Sequence, residues 1–93
     1  MEQATLPSPV ANADSKLCMD DDGGNTAPGT AVIQWACSGG SNQEWRVTRL
    51  ASGAYTVTNV HTGLLLTTAA TSDGAPVTQQ ADTGAPLQQW TLG

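Results

Sequence analysis

The sequence contains an internal repeat, which constrains the fold more than any other feature of the chain. Matching residues recur at an offset of 47 positions and, after a slip of two residues, at an offset of 45. We therefore predict a single domain, 1–93, made of two repeats at about 8–48 and 53–93. The matched pairs are Val10 and Val57, Asn12 and Asn59, Leu17 and Leu64, Gly29 and Gly74, Val32 and Val77, Gln34 and Gln79, Gly39 and Gly84, Gln43 and Gln88, and Trp45 and Trp90.

Both repeats have the pattern of short strands separated by turns. Trp45, Val47 and Arg49 alternate with period two, as expected for a half-buried strand. No segment of ten or more residues carries the apolar stripe of a helix, so the predicted fold class is all-β. A turn at 51–53 is expected to join the two repeats in a hairpin. The predicted strands are 10–13, 17–19, 31–37, 44–50, 54–60, 64–67, 77–80 and 89–92.

The charge of the chain excludes several kinds of partner. Eight acidic residues stand against Lys16, Arg46 and Arg49, which gives a net charge of -5. So few cations cannot neutralise a phosphate backbone, and we expect no nucleic-acid partner. The longest apolar run, Leu64 to Leu66, is far shorter than the roughly 18–20 residues of a membrane span, so no membrane insertion is expected. Polar, uncharged partners are favoured by elimination.

Two cysteines, Cys18 and Cys37, are the only ones in the chain. A single pair in a small, Thr-rich, Lys-poor domain favours a disulfide and an extracellular location, with two buried free thiols as the alternative. Residues 1–10 lack a charged segment followed by an apolar core, so no signal peptide is visible. We expect a secreted protein on the strength of the cysteine pair; if it is secreted, this chain is a mature fragment or an expressed domain.

The repeated motifs resemble those of the ricin B-type lectins, also called family 13 carbohydrate-binding modules. They are LCMD at 17–20, GTAVIQWAC at 29–37, NQEW at 42–45 and QQW at 88–90. The resemblance covers about 10–92 and implies a β-trefoil, in which three repeats of about 40 residues surround a pseudo-threefold axis. The chain has two of these three lobes. It would then be a partial trefoil, or a trefoil completed by self-association.

The resemblance also implies one sugar site, in the first repeat. In this family an Asp accepts hydrogen bonds from sugar hydroxyls, an aromatic ring stacks on the pyranose, and an Asn supported by a Gln adds further bonds. The matching residues are Asp20, Trp35, Asn42 and Gln43. Ile33 departs from the pattern, since many relatives have a Gln there. The family's usual ligands are galactose-type sugars and xylan-like chains.

The second repeat lacks this set of residues. Thr67, Gln80 and Leu87 occupy the positions of the Asp, the Trp and the Asn, and only Gln88 is kept. We therefore expect no sugar site there and a structural role for this repeat. The resemblance makes Trp45 and Trp90, the last residues of the two Gln-x-Trp motifs, core residues.

Other motifs carry no comparable chemistry. The acidic segment 20–25 does not have the spacing of an EF-hand loop, so we expect no metal and a solvated turn in which Asp20 alone points at the pocket. His61 has no nucleophile motif near it, and the acids are not paired for glycoside hydrolysis, so no enzyme activity and no cofactor are expected.

Two functions remain open for this sequence. The first is a carbohydrate-binding, lectin-like module with one site. The alternative is a degenerate trefoil unit with a structural or protein-interaction role and no sugar binding. A homo-oligomer is a further expectation, because three chains of two repeats supply the six repeats that two trefoils need.

Overall fold

The fold of this chain is all-β, as predicted. The computed structural model describes residues 3–4 and 6–91, so Leu92, which falls in the predicted strand 89–92, lies outside the described residues. Within them no α-helix is found, and no helix is long or apolar enough to cross a membrane. The strands are β1 (Gln3–Ala4), β2 (Ser8–Pro9), β3 (Cys18–Asp21), β4 (Val32–Trp35), β5 (Glu44–Arg49), β6 (Tyr55–Asn59), β7 (Leu65–Thr68) and β8 (Val77–Gln80).

The strands form two antiparallel sheets. In the larger sheet the order is β1-β5-β6-β7-β8, and β2 also pairs with β5. β3 and β4 form a separate two-stranded sheet. Three short 3₁₀ turns, Asp22–Gly24, Ser41–Gln43 and Pro86–Gln88, connect the strands.

The hairpin β5–β6 joins the two predicted repeats. Val47 lies opposite Val57 in its register, and Trp45 lies opposite Asn59. The predicted turn at 51–53 is confirmed, since Leu50 N–H donates to the carbonyl of Ala54 at 2.8 Å. This hairpin places the start of the second repeat directly against the end of the first.

Two of the predicted strands, 10–13 and 89–92, are wrong as regular strands. In the first, only Ala11 forms a bridge, to Cys18. The side chain of Asn12 accepts hydrogen bonds from the backbone N–H groups of Asp14 and Ser15, and this local turn ends the extended segment. In the second, Trp90 alone pairs with Tyr55, through two backbone hydrogen bonds.

The same hydrogen bonds occur in both repeats. Each Asn of the matched pair Asn12 and Asn59 accepts two backbone N–H groups from the following turn. The indole N–H of Trp45 donates to the carbonyl of Met19 at 2.9 Å. That of Trp90 donates to the carbonyl of Leu66 at 3.0 Å. The sequence repeat is therefore also a repeat of local structure, although its exact bounds stay a prediction.

The core lies between the sheets and is small. Trp45 is fully buried, and Val57, Leu65 and Cys18 are buried with it. Cys18 and Cys37 form a disulfide with a Cα–Cα distance of 5.1 Å, which confirms the favoured interpretation of the cysteine pair. Trp90 is only half-buried, so the two matched tryptophans differ in environment.

Candidate functional site

The four predicted site residues lie together around one cavity. Asp20, Trp35, Asn42 and Gln43 all line a depression of about 340 Å³ at the surface of the first repeat. Four further residues complete the lining: Asp22, Gly23, Ile33 and Ser38. The tertiary structure thus brings residues from three separate segments of the sequence to one place.

Strand register places two walls of the cavity. Asp20 lies opposite Ile33, and Cys18 lies opposite Trp35, in the pair β3–β4. The disulfide joins the first residue of β3 to Cys37, two residues beyond β4. The two strands that hold Asp20 and Trp35 are therefore linked covalently as well as by their hydrogen-bonded ladder.

Gln43 is the central polar residue of the site, and it is 1% exposed. Its Nε2 donates to Oδ2 of Asp20 at 2.7 Å and to the carbonyl of Ala36 at 2.9 Å. Its Oε1 accepts the backbone N–H of Ser38 at 2.8 Å. Both amide hydrogens of Gln43 are used within the protein, so this side chain orients Asp20 and does not donate to a ligand.

Asp20 is nearly buried, at 4% exposed. Oδ2 accepts the short bond from Gln43 and a longer one, 3.3 Å, from Nδ2 of Asn42. Oδ1 forms no hydrogen bond with any described residue. One carboxylate oxygen is thus held by the protein while the other remains an acceptor at the cavity.

Trp35 forms the opposite, exposed wall. Its side chain is 62% exposed, which is unusual for so large an apolar group. Asn42, on the 3₁₀ turn before β5, is half-buried, and its backbone carbonyl accepts the side-chain N–H of Asn59 at 2.9 Å. The cavity therefore combines an oriented carboxylate, a flat aromatic surface and an amide.

We expected a solvated acidic turn in which Asp20 alone points at the pocket, and this expectation is wrong. Asp22 also lines the cavity, and Asp21 is fully buried with neither carboxylate oxygen hydrogen-bonded. The pKa of Asp21 is raised to about 6, chiefly by burial; the nearby His61 opposes the rise, and the charges of Asp20 and Asp22 add to it. Period-two alternation in β3 is the signal for this difference, because it turns Asp21 to the other side from Asp20.

The second repeat has the same scaffold without the same chemistry. Nε2 of Gln88 donates to Oγ1 of Thr67 at 3.3 Å and to the carbonyl of Ala81 at 2.7 Å. A cavity of about 280 Å³ lies there, and Gln80 and Leu87 line it in place of the Trp and the Asn. The framework of Gln43 is therefore duplicated around a site with no carboxylate and no aromatic ring.

The described residues contain no cluster of His, Cys, Asp and Glu side chains that could hold a metal ion. Comparison with known protein families gives a match to the ricin-type beta-trefoil lectin domain-like model over residues 9–90. The chain belongs to this lectin-like family. Its β-trefoil description agrees with the all-β fold, whereas no curated protein sequence matches the chain.

Solved structures of similar fold include a designed protein, an enzyme and a lectin. The designed 3-fold symmetric protein ThreeFoil matches with a TM-score of 0.87 and 36% identity, over 89% of this chain and 61% of its own. An exo-beta-1,3-galactanase from Clostridium thermocellum matches with a TM-score of 0.90 and 29% identity, over 95% of this chain and 20% of its own.

A lectin from Polyporus squamosus, solved with the epitope Neu5Aca2-6Galb1-4GlcNAc, matches with a TM-score of 0.73 and 27% identity. The match covers 92% of this chain and 34% of that lectin. The chain thus spans less than two thirds of each of these three proteins. It corresponds to a partial trefoil.

Proposed function

We propose that the chain is a carbohydrate-binding module with one sugar site, in the cavity lined by Asp20, Trp35, Asn42 and Gln43. One observation carries the proposal: a nearly buried carboxylate, held by Gln43 through one oxygen, faces the cavity beside the 62% exposed Trp35. Membership of the lectin-like family supports the same function.

The cavity suits a sugar because a pyranose has two kinds of surface. Its hydroxyl groups are donors, and a carboxylate oxygen that only accepts can receive them. Its C–H face is apolar, and the ring of Trp35 offers a flat surface of matching size. Nδ2 of Asn42 donates to Oδ2 of Asp20 at 3.3 Å and to the carbonyl of Asp21 at 3.4 Å, so its Oδ1 is the atom that can accept from a ligand. Gln43 keeps the carboxylate of Asp20 in position.

Galactose-type sugars are the first ligand class to test, and xylan-like chains are the second. Two of the similar structures are named for galactose-containing glycans, the galactanase and the lectin bound to its sialylated epitope. Ile33 lines the cavity where many relatives have a Gln. Because Ile has no polar side-chain atom, this cavity can form fewer hydrogen bonds with a sugar than a cavity with Gln at that position.

The module is proposed to bind its ligand without cleaving it. Glycoside hydrolysis requires two carboxyl groups that flank the scissile bond. The acids at this cavity, Asp20 and Asp22, come from one continuous segment of chain and therefore lie on one side. We also infer an extracellular location, which the disulfide supports because such bonds persist in oxidising compartments.

Replacement of Trp35 tests the site directly. We expect Trp35→Ala to abolish measurable binding of galactose, lactose or xylose by calorimetric titration, because the stacking surface is lost. A single shallow site should bind in the high-micromolar to millimolar range, roughly 4–6 kcal/mol, in the native chain. Since Trp35 is largely exposed, the variant should fold normally.

Gln80→Ala is the matched control, because Gln80 occupies the position of Trp35 in the second repeat. It should bind sugar like the native chain. Equal binding by the native chain and Trp35→Ala would reject the site. If none of the sugars binds or changes the native chain's tryptophan fluorescence, the alternative is favoured: a structural or protein-interaction unit, in line with Ile33 in the cavity.

A further inference from the structure

The candidate sugar cavity carries two carboxylates and no basic side chain. Asp20 and Asp22 both line it, and Lys, Arg and His are absent from its described lining residues. The chain as a whole has a net charge of -5, which adds to the negative potential there. The charge of the cavity therefore restricts the kinds of sugar that it can accept.

The two amide side chains of the cavity have no donor left for a ligand. Nε2 of Gln43 donates to Oδ2 of Asp20 and to the carbonyl of Ala36, at 2.7 and 2.9 Å. Nδ2 of Asn42 donates to the same Oδ2 at 3.3 Å and to the carbonyl of Asp21 at 3.4 Å. An amide of this kind has two N–H bonds, so both side chains use all of their donors within the protein.

The cavity instead offers acceptors. Oδ1 of Asp20, Oδ1 of Asn42 and both carboxylate oxygens of Asp22 form no hydrogen bond with any described residue. The side-chain donors that remain in the lining are the hydroxyl of Ser38 and the indole N–H of Trp35, and both are uncharged. A ligand group that only donates therefore fits this cavity better than a group that needs a donor.

Asp20 is held in place to receive a charged donor. It is 4% exposed, and Gln43 fixes its Oδ2 while Oδ1 has no partner among the described residues that surround the cavity. Water solvates so deeply buried a carboxylate poorly, so a cationic partner stabilises it more than a neutral hydroxyl does. This oriented carboxylate indicates a positive charge on the ligand.

The aromatic wall of the cavity also favours a positive charge. Trp35 is 62% exposed, and the face of an indole ring attracts a cation that lies within about 6 Å of its centre. Among the aromatic side chains, Trp is the best at this. The ring that is proposed to stack on the C–H face of a sugar can therefore also stabilise a charged group attached to that sugar.

We propose that the cavity prefers amino sugars, which are hexoses with a free, protonated amino group in place of one hydroxyl. This inference rests on the proposed function, since it assigns a ligand class to the same cavity. An ammonium group donates three hydrogen bonds and accepts none, so it matches the free acceptors of Asp20 and Asp22. Acetylation of the amine removes the charge, and an acidic sugar places a third carboxylate beside the two of the cavity.

Four sugars that share one ring test the preference: galactose, galactosamine, N-acetylgalactosamine and galacturonic acid. Calorimetric titration of the native chain at about pH 7 keeps the amine charged, if its pKa is near the roughly 8 of an α-amino group. We expect galactosamine to bind about fivefold more tightly than galactose or N-acetylgalactosamine, and galacturonic acid to bind most weakly. The advantage of galactosamine should shrink between about 0.01 M and about 1 M salt, because salt screens charges.

Asp22→Asn tests the role of the cavity's own charge. It removes one carboxylate with little change of shape, and Asp22 is exposed, so the variant should fold normally. The ratio of galactosamine affinity to galactose affinity should fall by at least about twofold. Asp73→Asn is the matched control, because it removes the same charge at an exposed residue that does not line the cavity, and it should keep the native ratio.

The outcomes separate this inference from the proposed function. Binding of galactose and galactosamine with equal affinity would overturn the preference and leave the sugar site standing. The same holds if N-acetylgalactosamine binds as tightly as galactosamine. Equal losses in Asp22→Asn and Asp73→Asn would also overturn it, because the preference would then come from the net charge of the chain. If none of the four sugars binds, both proposals fail.

Discussion

At the scale of single residues, the candidate site depends on how two neighbouring carboxylates differ in burial and in hydrogen bonding. Asp20 has a partner for one oxygen and leaves the other at the cavity. Asp21, the next residue, is 0% exposed with no hydrogen bond to either oxygen. Two adjacent acids thus differ in role because a strand turns successive side chains to opposite sides. The sequence indicates the chemistry of Asp20, and alternation indicates that Asp21 lies on the other side of β3, but the packing alone makes that side buried.

The pKa of Asp21 predicts how stability depends on pH. Its value rises from 3.8 to about 6, chiefly because burial penalises the charged form. The folded state therefore binds this proton more readily than the unfolded state, and stability falls as pH rises from about 4 to 6. By this linkage the free energy of unfolding above pH 6 is lower than that below pH 4 by roughly 2–3 kcal/mol.

Asp21→Asn should remove this dependence and raise the stability at pH 7.5. Urea denaturation at pH 4.5 and 7.5 measures the effect. Asp73→Asn is the control, because Asp73 is exposed, does not act on the pKa of Asp21, and should leave the profile nearly unchanged. The prediction is contradicted if Asp21→Asn is no more stable than the native chain at pH 7.5.

At the scale of structural elements, the pair β3–β4 carries both walls of the site. The disulfide spans 19 positions and closes this pair at the end near Trp35. Glycines mark the turns, and period-two alternation marks the strands. The predicted strands 44–50, 54–60 and 77–80 therefore agree with the observed ones to within one residue at each end. The segment 10–13 is not, because the side chain of Asn12 competes with the strand for backbone N–H groups.

Loss of the disulfide should destabilise the fold. A closed loop of this length contributes about 3 kcal/mol in the chain-entropy model, since it restricts the unfolded chain. The double variant Cys18→Ser, Cys37→Ser should show that loss in urea denaturation. Addition of a reductant should lower the stability of the native chain and leave the double variant unchanged. Equal stability of the two chains without reductant would contradict the prediction.

At the scale of the whole molecule, the two repeats share one junction, in which side chains of the second repeat donate to carbonyls of the first. This junction buries Asn59 and Gln79 completely, while the matching residues Asn12 and Gln34 stay exposed. Contacts between the repeats therefore decide which residue of each matched pair is buried.

The fold class, the internal repeat, the cysteine pair and the family could all be predicted from the sequence, because these depend on local pattern and on motifs within each repeat. The sequence also indicated Asp20, Trp35, Asn42 and Gln43, which lie together in the structure. The burial of Asn59 but not of Asn12, which are identical residues, follows from the packing of the repeats and could not be predicted. The same is true of Asp21, which has no polar partner among the described residues. The physical reason is that burial depends on contacts between repeats. A repeated sequence motif does not indicate which of its copies is covered by a neighbouring repeat.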